Sequence, residues 1–443
     1  MEADKKEEET VISESEPDDN YDPHEHRQTK SPTNNFETLV HLLKCSIGTG
    51  ILAMPQAFVN SGLITGAIAT LIIGVIITHC LHVLVKSQYI LCKRKRVPLL
   101  TYSESMVVAC KIGPKPLRGL SRGAAIMTDV FLVVYQLGIG CVYFLFIAKN
   151  NKMLIDPYYV LSFPIHMVII LGPLIAINCI PNLKALAPFS VVANILTFIG
   201  LGIVLYYLVA GTKTTKPLDY WGSISTFPLF FGTVLFALTA VGVVIALENN
   251  MKTPKAFGKP FGVLNIGMCS VTAIYFLLGA LGYVYCGQDC HDSITLDLPH
   301  DHKATKVALV AYVIAIFISY ALQCYVPVDI LWNQYLKPKL QARGCKHLKL
   351  WEYVLRIALC FLTFSLAISV PALGLFISLF GAVCLSALGL IFPAFMEICA
   401  SLPKNFGPMR LKLVKDIVIM IIGVIGLFAG GITTIYAIIQ TFM

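Results

Sequence analysis

The chain has 443 residues, of which 56% are apolar and only 13% charged, with a mean hydropathy of +0.74. A water-soluble protein of this size carries roughly a quarter charged residues, so the composition excludes that class and points to a polytopic membrane protein. The net charge of +9 does not mark a nucleic-acid binder, because the lysines and arginines fall in loops between apolar blocks, where they set topology.

In chain order, the opening stretch MEADKKEEETVISESEPDDN is acidic and has no apolar run. It does not read as a signal peptide, and residues 1–35 are expected to form a disordered cytosolic tail. Eleven apolar spans follow, at about 36–60, 63–91, 123–148, 164–180, 187–210, 224–250, 260–285, 305–332, 350–370, 374–398 and 413–441. With the tail inside, the cytosolic loops hold twenty-one basic residues, Lys184 and Lys404 among them, and the outside segments six, including Lys213 and Lys216. That asymmetry sets the orientation and places the C-terminus outside the cell or in a lumen. The expected fold class is all-α. Residues 36–210 form one five-helix repeat, 224–398 a second that enters the membrane upside down, and 413–441 an eleventh helix. Paired inverted repeats are a plan of secondary transporters, which bind substrate where broken helices meet near the midplane.

Each half begins with a helix that carries a weak point. In the first, HLLKCSIGTGILAMP, the break is expected at Gly48, Thr49 and Gly50; in the second, FPLFFGTVLFALTAVGVVIALENN, at Thr239, Ala240, Val241 and Gly242. Taken singly, Gly232 and Gly242 read as packing glycines; two weak points at matching places read as functional breaks. A broken helix frees backbone N–H groups at the start of its second piece and carbonyls at the end of its first. The N–H end suits a carboxylate and the carbonyl end an ammonium, so one gap fits a zwitterionic amino acid.

Before the first break, Glu37, His41, Lys44 and Gly48 share one helix face. Ionisable groups at membrane depth face a cavity or a partner. Histidine is the residue type that changes charge near neutrality, which suits His41 to a proton relay; a hydrogen bond to a neighbouring helix is the plainer reading. Lys44 is expected to pair with Glu248 at the inner end of the sixth span. Tyr320 in the eighth span either lines the cavity or packs helices. His79 and His82 read as packing residues with a satisfied N–H. Cys286 and Cys290, in one outside loop, form a local disulfide or remain two thiols. The nearby CHDSITLDLPHDH matches no standard metal spacing, so no metal site is expected. No triad or ligand cluster suggests an enzyme.

The stretches NNFETLVHLLKCSIGTGILAMPQAF, FPLFFGTVLFALTAVGVVIALENNMKTP, SITLDLP and SYALQCYVPVDILW resemble the proton-coupled amino acid transporters of the amino-acid/auxin permease group, and the resemblance runs through everything after the tail. It implies a LeuT-like fold and symport of a proton with small neutral amino acids such as glycine, alanine or proline. It implies no cofactor beyond the coupling proton. His41 matches the family's proton-coupling histidine, Gly48-Thr49-Gly50 its unwound segment and Glu248-Asn249-Asn250-Met251-Lys252 its sixth-span motif. The chain departs from the pattern at Thr239, where the family usually carries glutamate, and at Cys45, usually glycine. The family's disulfide between two outside loops cannot form here. The resulting expectation is an alternating-access symporter in a plasma or lysosomal membrane. The rival readings are a proton-independent uniporter or exchanger, and an amino-acid sensor signalling through its tail.

Overall fold

A computed structural model describes residues 21–27, 32–180, 183–211, 214, 217–402 and 410–443. Most of the expected tail (1–20 and 28–31) lies outside these residues, as do Lys213, Lys216, Lys404 and the side chain of Lys184. The protein is all-helical, with one isolated bridge between Thr33 and Met251. Among the described residues nine helices are long and apolar enough to cross a membrane. They are α4 (Leu63–Lys95), α6 (Ser121–Ile155), α8 (Leu183–Ala210), the broken pair α9 (Phe227–Leu238) and α10 (Val241–Asn249), and α11 (Val263–Cys286). The remaining four are α12 (Lys303–Ala342), α13 (Leu348–Ser369), α14 (Leu373–Ala400) and α15 (Leu411–Gln440). The other two expected spans are a shorter helix, α7 (Phe163–Asn178), and the first span, which is cut into α1 (Asn35–Ser46), α2 (Thr49–Leu52) and α3 (Met54–Ser61).

Helix ends follow from local chemistry. The Asn34 side chain accepts from the Glu37 N–H while Glu37 reaches back to the Asn34 N–H, a reciprocal cap that starts α1. The same device at Thr101 and Glu104 starts α5 (Tyr102–Ile112), a helix inside the basic loop that the sequence reading passed over as loop. Its Tyr102 hydroxyl donates to the Leu388 carbonyl at 2.5 Å, which ties the loop to α14. Between α3 and α4 the chain turns at Gly62, whose φ of +75° is open to glycine without strain. The Leu63 and Ile64 N–H groups donate to the Asp219 and Tyr220 carbonyls, each at 2.9 Å, and the Thr226 hydroxyl donates to the Asn60 carbonyl at 2.7 Å, so the loop before α9 is laid on this turn.

Proline disturbs two spans. Within α12, Pro327 lacks an N–H and the helix widens to π winding over Ile330–Leu336. In α14, π winding over Gly381–Ile391 ends at Phe392-Pro393. Near its start a Cβ on Gly381 would sit 1.9 Å from the Gly232 carbonyl oxygen, so α9 and α14 cross backbone to backbone. Gly232 is therefore the packing glycine it was read as. Together the described helices compose a LeuT-like fold.

Candidate functional site

Both breaks are present. Helix α1 stops at Ser46, Ile47 (φ −82°, ψ 90°) and Gly48 (φ −124°, ψ −155°) are extended, and α2 begins at Thr49. The interruption thus lies at Ile47–Gly48, and Thr49 and Gly50 already belong to the first turn of α2. Helix α9 stops at Leu238, Thr239 (φ −89°, ψ 112°) and Ala240 (φ −107°, ψ 35°) carry the break, and α10 resumes at Val241. Two helix starts and two helix ends are left with backbone groups that no turn of helix satisfies.

The breaks are pressed together. A Cβ on Gly50 would come within 2.9 Å of the Ala237 Cα, so α2 lies backbone against backbone on the last turn of α9. Gly50 is needed for this approach, and a side chain there would push two helices apart rather than fill a pocket. Gly48 and Gly242 are different: a Cβ on Gly48 would find only the Tyr143 hydroxyl, at 3.9 Å, and one on Gly242 would find nothing within 4 Å. Backbone at those two positions is bare to whatever occupies the gap. The Tyr275 hydroxyl donates to the Ser46 carbonyl at 2.5 Å and fixes the end of α1.

Three hydroxyls at the breaks are buried with no hydrogen-bond partner: Ser46 Oγ, Thr49 Oγ1 and Thr239 Oγ1. Buried hydroxyls are normally satisfied. An orphan on each side of one gap marks the positions where a polar ligand would be bonded. Thr239 also abuts α14, its Cγ2 lying 3.1 Å from the place of a Cβ on Gly389. Tyr143 and Gln136, seven residues apart, share a face of α6, and Gln136 Oε1 is another buried orphan. The sequence reading placed neither residue at the site; the seven-residue spacing was the available signal.

On α1, Leu42 and Ser46 are buried while His41 and Cys45, about 100° round the helix, are exposed. Gly48 continues that exposed face toward Tyr143. His41 thus lies on the same exposed side of the first span as Gly48 at the break.

Three expectations are corrected. Glu248 does not pair with Lys44. Its carboxylate is taken by Arg27 (Nη1–Oε2 2.9 Å) and His24 (Nε2–Oε1 3.0 Å), both from the segment read as a disordered tail. Residues 21–27 are folded onto the inner end of α10, with Asp22 held by Lys255 at 2.7 Å and by the Tyr89 hydroxyl at 3.3 Å. The Arg27 guanidinium is 6% exposed, and its Nη1 also reaches the Glu248 carbonyl at 3.4 Å. Second, Tyr320 does not present a free hydroxyl to the gap. It is fully buried, bonds Thr363 Oγ1 at 2.8 Å and meets Phe144 edge-on, packing α12 against α13 and α6. Third, His82 is satisfied by Asn265 at 2.7 Å, but His79 Nε2 is buried without a partner, and both line a cavity rather than only packing. Cys286 and Cys290 are joined by a disulfide. Beyond the membrane His291 pairs with Asp297, whose carboxyl is pushed up by burial. Among the described residues no group of three metal-binding side chains occurs.

Comparisons with known proteins bear on this geometry. The profile of the family described as Transmembrane amino acid transporter protein matches residues 31–436. The chain is 40% identical over 428 residues to the Drosophila melanogaster "Proton-coupled amino acid transporter-like protein pathetic", covering 95% of this chain and 89% of that relative. It is 27% identical over 328 residues to "Vacuolar amino acid transporter 4" of Saccharomyces cerevisiae, covering 72% of this chain and 43% of that one. Among solved structures, "Inward facing conformation of Mhp1" superposes with a TM-score of 0.59 at 14% identity, covering 97% of this chain and 94% of that one. The last likeness concerns the fold alone.

Proposed function

The chain belongs to the transmembrane amino acid transporter family, and from that premise we propose that it carries small neutral amino acids into the cytosol together with a proton. It is a transporter and not an enzyme. The observation that carries the substrate reading is the pair of abutting helix breaks whose flanking hydroxyls, Thr49 and Thr239, are buried and unpartnered. The N–H groups at the start of α2 take the carboxylate. The carbonyls ending α9 take the ammonium. Bare backbone at Gly48 and Gly242 lets the ligand approach, while Thr239, between the gap and α14, bounds the side-chain end. A carboxylate at Thr239 would add a charge that the substrate or a proton must answer, and this chain has none there.

The proton arrives at His41, which lies exposed on the same side of the first span as Gly48. The N-terminus lies in the cytosol and the C-terminus outside or in a lumen, so that an acidic outer compartment drives uptake. The printed name of the fly relative, a proton-coupled transporter-like protein, supports the coupling.

Uptake of an amino-acid panel, recorded electrically at acidic and neutral outside pH, tests this reading. Inward current that grows with outside acidity is expected for glycine, alanine and proline, and carboxylate-free amines should not compete. Electroneutral, pH-independent flux would remove the proton from the mechanism.

A further inference from the structure

At the inner end of α4 lies a cavity of about 410 Å³ that the transport reading does not use. Its charged lining comprises Lys86, Lys255, Lys259, His24, His79, His82, Glu248 and Glu397. Both carboxylates are already answered within the protein, Glu248 by Arg27 and His24, and Glu397 by Lys415 at 2.6 Å. Lys255 is taken by Asp22. Lys86 and Lys259 have no carboxylate partner among the described residues, and His79 presents a buried nitrogen with nothing bonded to it. Lys415 is shared with Asp416 at 3.0 Å, so the cavity keeps a small excess of positive charge and an unfilled hydrogen-bonding position.

What lies above it indicates the source of the anion. Ile68, Leu71, Ile72 and Val75 are exposed at 53, 47, 54 and 71%. At 100° per residue they fall on the same face of α4 as His79, His82 and Lys86. An apolar stripe thus runs down the helix and ends in the cationic crevice. That is the outline of an acyl chain above a phosphorylated headgroup, and basic pockets between helices at the cytoplasmic surface recognise such headgroups.

We propose that this crevice binds a multiply charged phosphate headgroup, of the phosphoinositide type, from the inner leaflet. Lys86 and Lys259 supply the charge that retains the phosphates, and His79 Nε2 supplies a directed hydrogen bond. The same chemistry occurs in soluble inositol phosphates, which lack the acyl chains that the stripe on α4 would hold.

The full chain in nanodiscs provides the test. Discs are made of phosphatidylcholine alone, with added phosphatidylinositol bisphosphate, or with phosphatidylserine at matched total charge; a fourth set is phosphatidylcholine with soluble inositol trisphosphate. Retained ligand is read by native mass spectrometry and stabilisation by melting temperature. The expected result is retention and a raised melting temperature with the bisphosphate lipid only. The Lys86→Gln/Lys259→Gln double variant weakens retention about 30-fold. The corresponding double arginine variant keeps it, which separates lost charge from a folding defect, and Lys306→Gln, outside the crevice, changes nothing. An equal shift with soluble inositol trisphosphate overturns the lipid source and leaves the phosphate chemistry standing. Equal retention by the double glutamine variant, or an equal effect of phosphatidylserine, overturns the proposal.

Discussion

The two broken helices are built on one plan, yet their second pieces are anchored by different physics. After the first break, α3 ends at Gly62, where the outer loop is held by backbone hydrogen bonds to Leu63 and Ile64 and a Cβ would meet Gly222 N at 2.7 Å. After the second break, Glu248 in the last turn of α10 is held by Arg27 and His24, with Asp22 and Lys255 beside them. In one anchor the bonds are made by main-chain groups, and in the other mostly by charged side chains. An end fixed by backbone has no means of responding to pH or to modification of the tail. An end fixed by charged side chains can be released without unfolding either helix.

The largest expected effect lies where the two broken helices touch. Gly50→Val drives a side chain into the Ala237 backbone, an overpacking that costs about 1–3 kcal/mol and separates the breaks. Uptake is lost and the melting temperature of the purified protein falls. Gly242→Val, with nothing within 4 Å of its Cβ, keeps the melting temperature and loses transport only through the gap. If both variants unfold alike, the two sides of the gap do not differ as described.

His41→Ala comes next. Acid-driven accumulation disappears while expression and melting temperature stay at the wild-type level, because His41 is exposed and no described residue depends on it. A variant that still concentrates substrate along a pH gradient makes His41 a bystander.

Thr49→Val and Thr239→Val remove hydroxyls that bond nothing in the protein. Stability should hold or rise, since a buried orphan is replaced by a methyl of similar size, while KM rises about 2–10-fold for one lost hydrogen bond. A fall in stability with KM unchanged means the hydroxyls serve packing.

These contrasts also show what was legible in the sequence. Both breaks could be read because an unwound helix needs small residues at matching places in two halves, and Gly48-Thr49-Gly50 and Thr239-Ala240 supply them. The order of the long apolar helices was legible for the same reason that lipid demands long apolar runs, and nine of them are present among the described residues. Pairings across the fold were not. Lys44 and Glu248 looked like partners because both sit at membrane depth, but the choice was decided by Arg27, in a stretch whose composition reads as disorder. Nor could spacing say that Tyr320 would satisfy its hydroxyl on Thr363, or that Gly50 faces Ala237 rather than a ligand, since both depend on how helices distant in sequence cross. Helix α5 was hidden by the basic residues of its loop, although the Thr101–Glu104 cap was in plain view.

The smallest effect separates the two kinds of anchor by pH. Burial alone would raise the Asp22 carboxyl, but the Lys255 hydrogen bond, the His24 N–H at 3.0 Å and the two positive charges outweigh it, and the group is held below its usual range. A lowered folded-state pKa gives stability that is complete above the unfolded value, about 3.9, and lost as pH falls through the folded one. Lys255 is raised by the Asp22 hydrogen bond and charge, so its share is complete below about 10.4 and is lost only as pH rises through its folded value. The Asp22–Lys255 link is therefore constant between about pH 5 and 9. Amide exchange of residues 21–27, referenced to the intrinsic rate at each pH, reads this out. Asp22→Asn should loosen the segment by the same small factor at every pH between about 5 and 9. Protection at the Gly62 turn should not vary with pH in that variant. A pH-dependent loss of protection there would erase the distinction between the anchors.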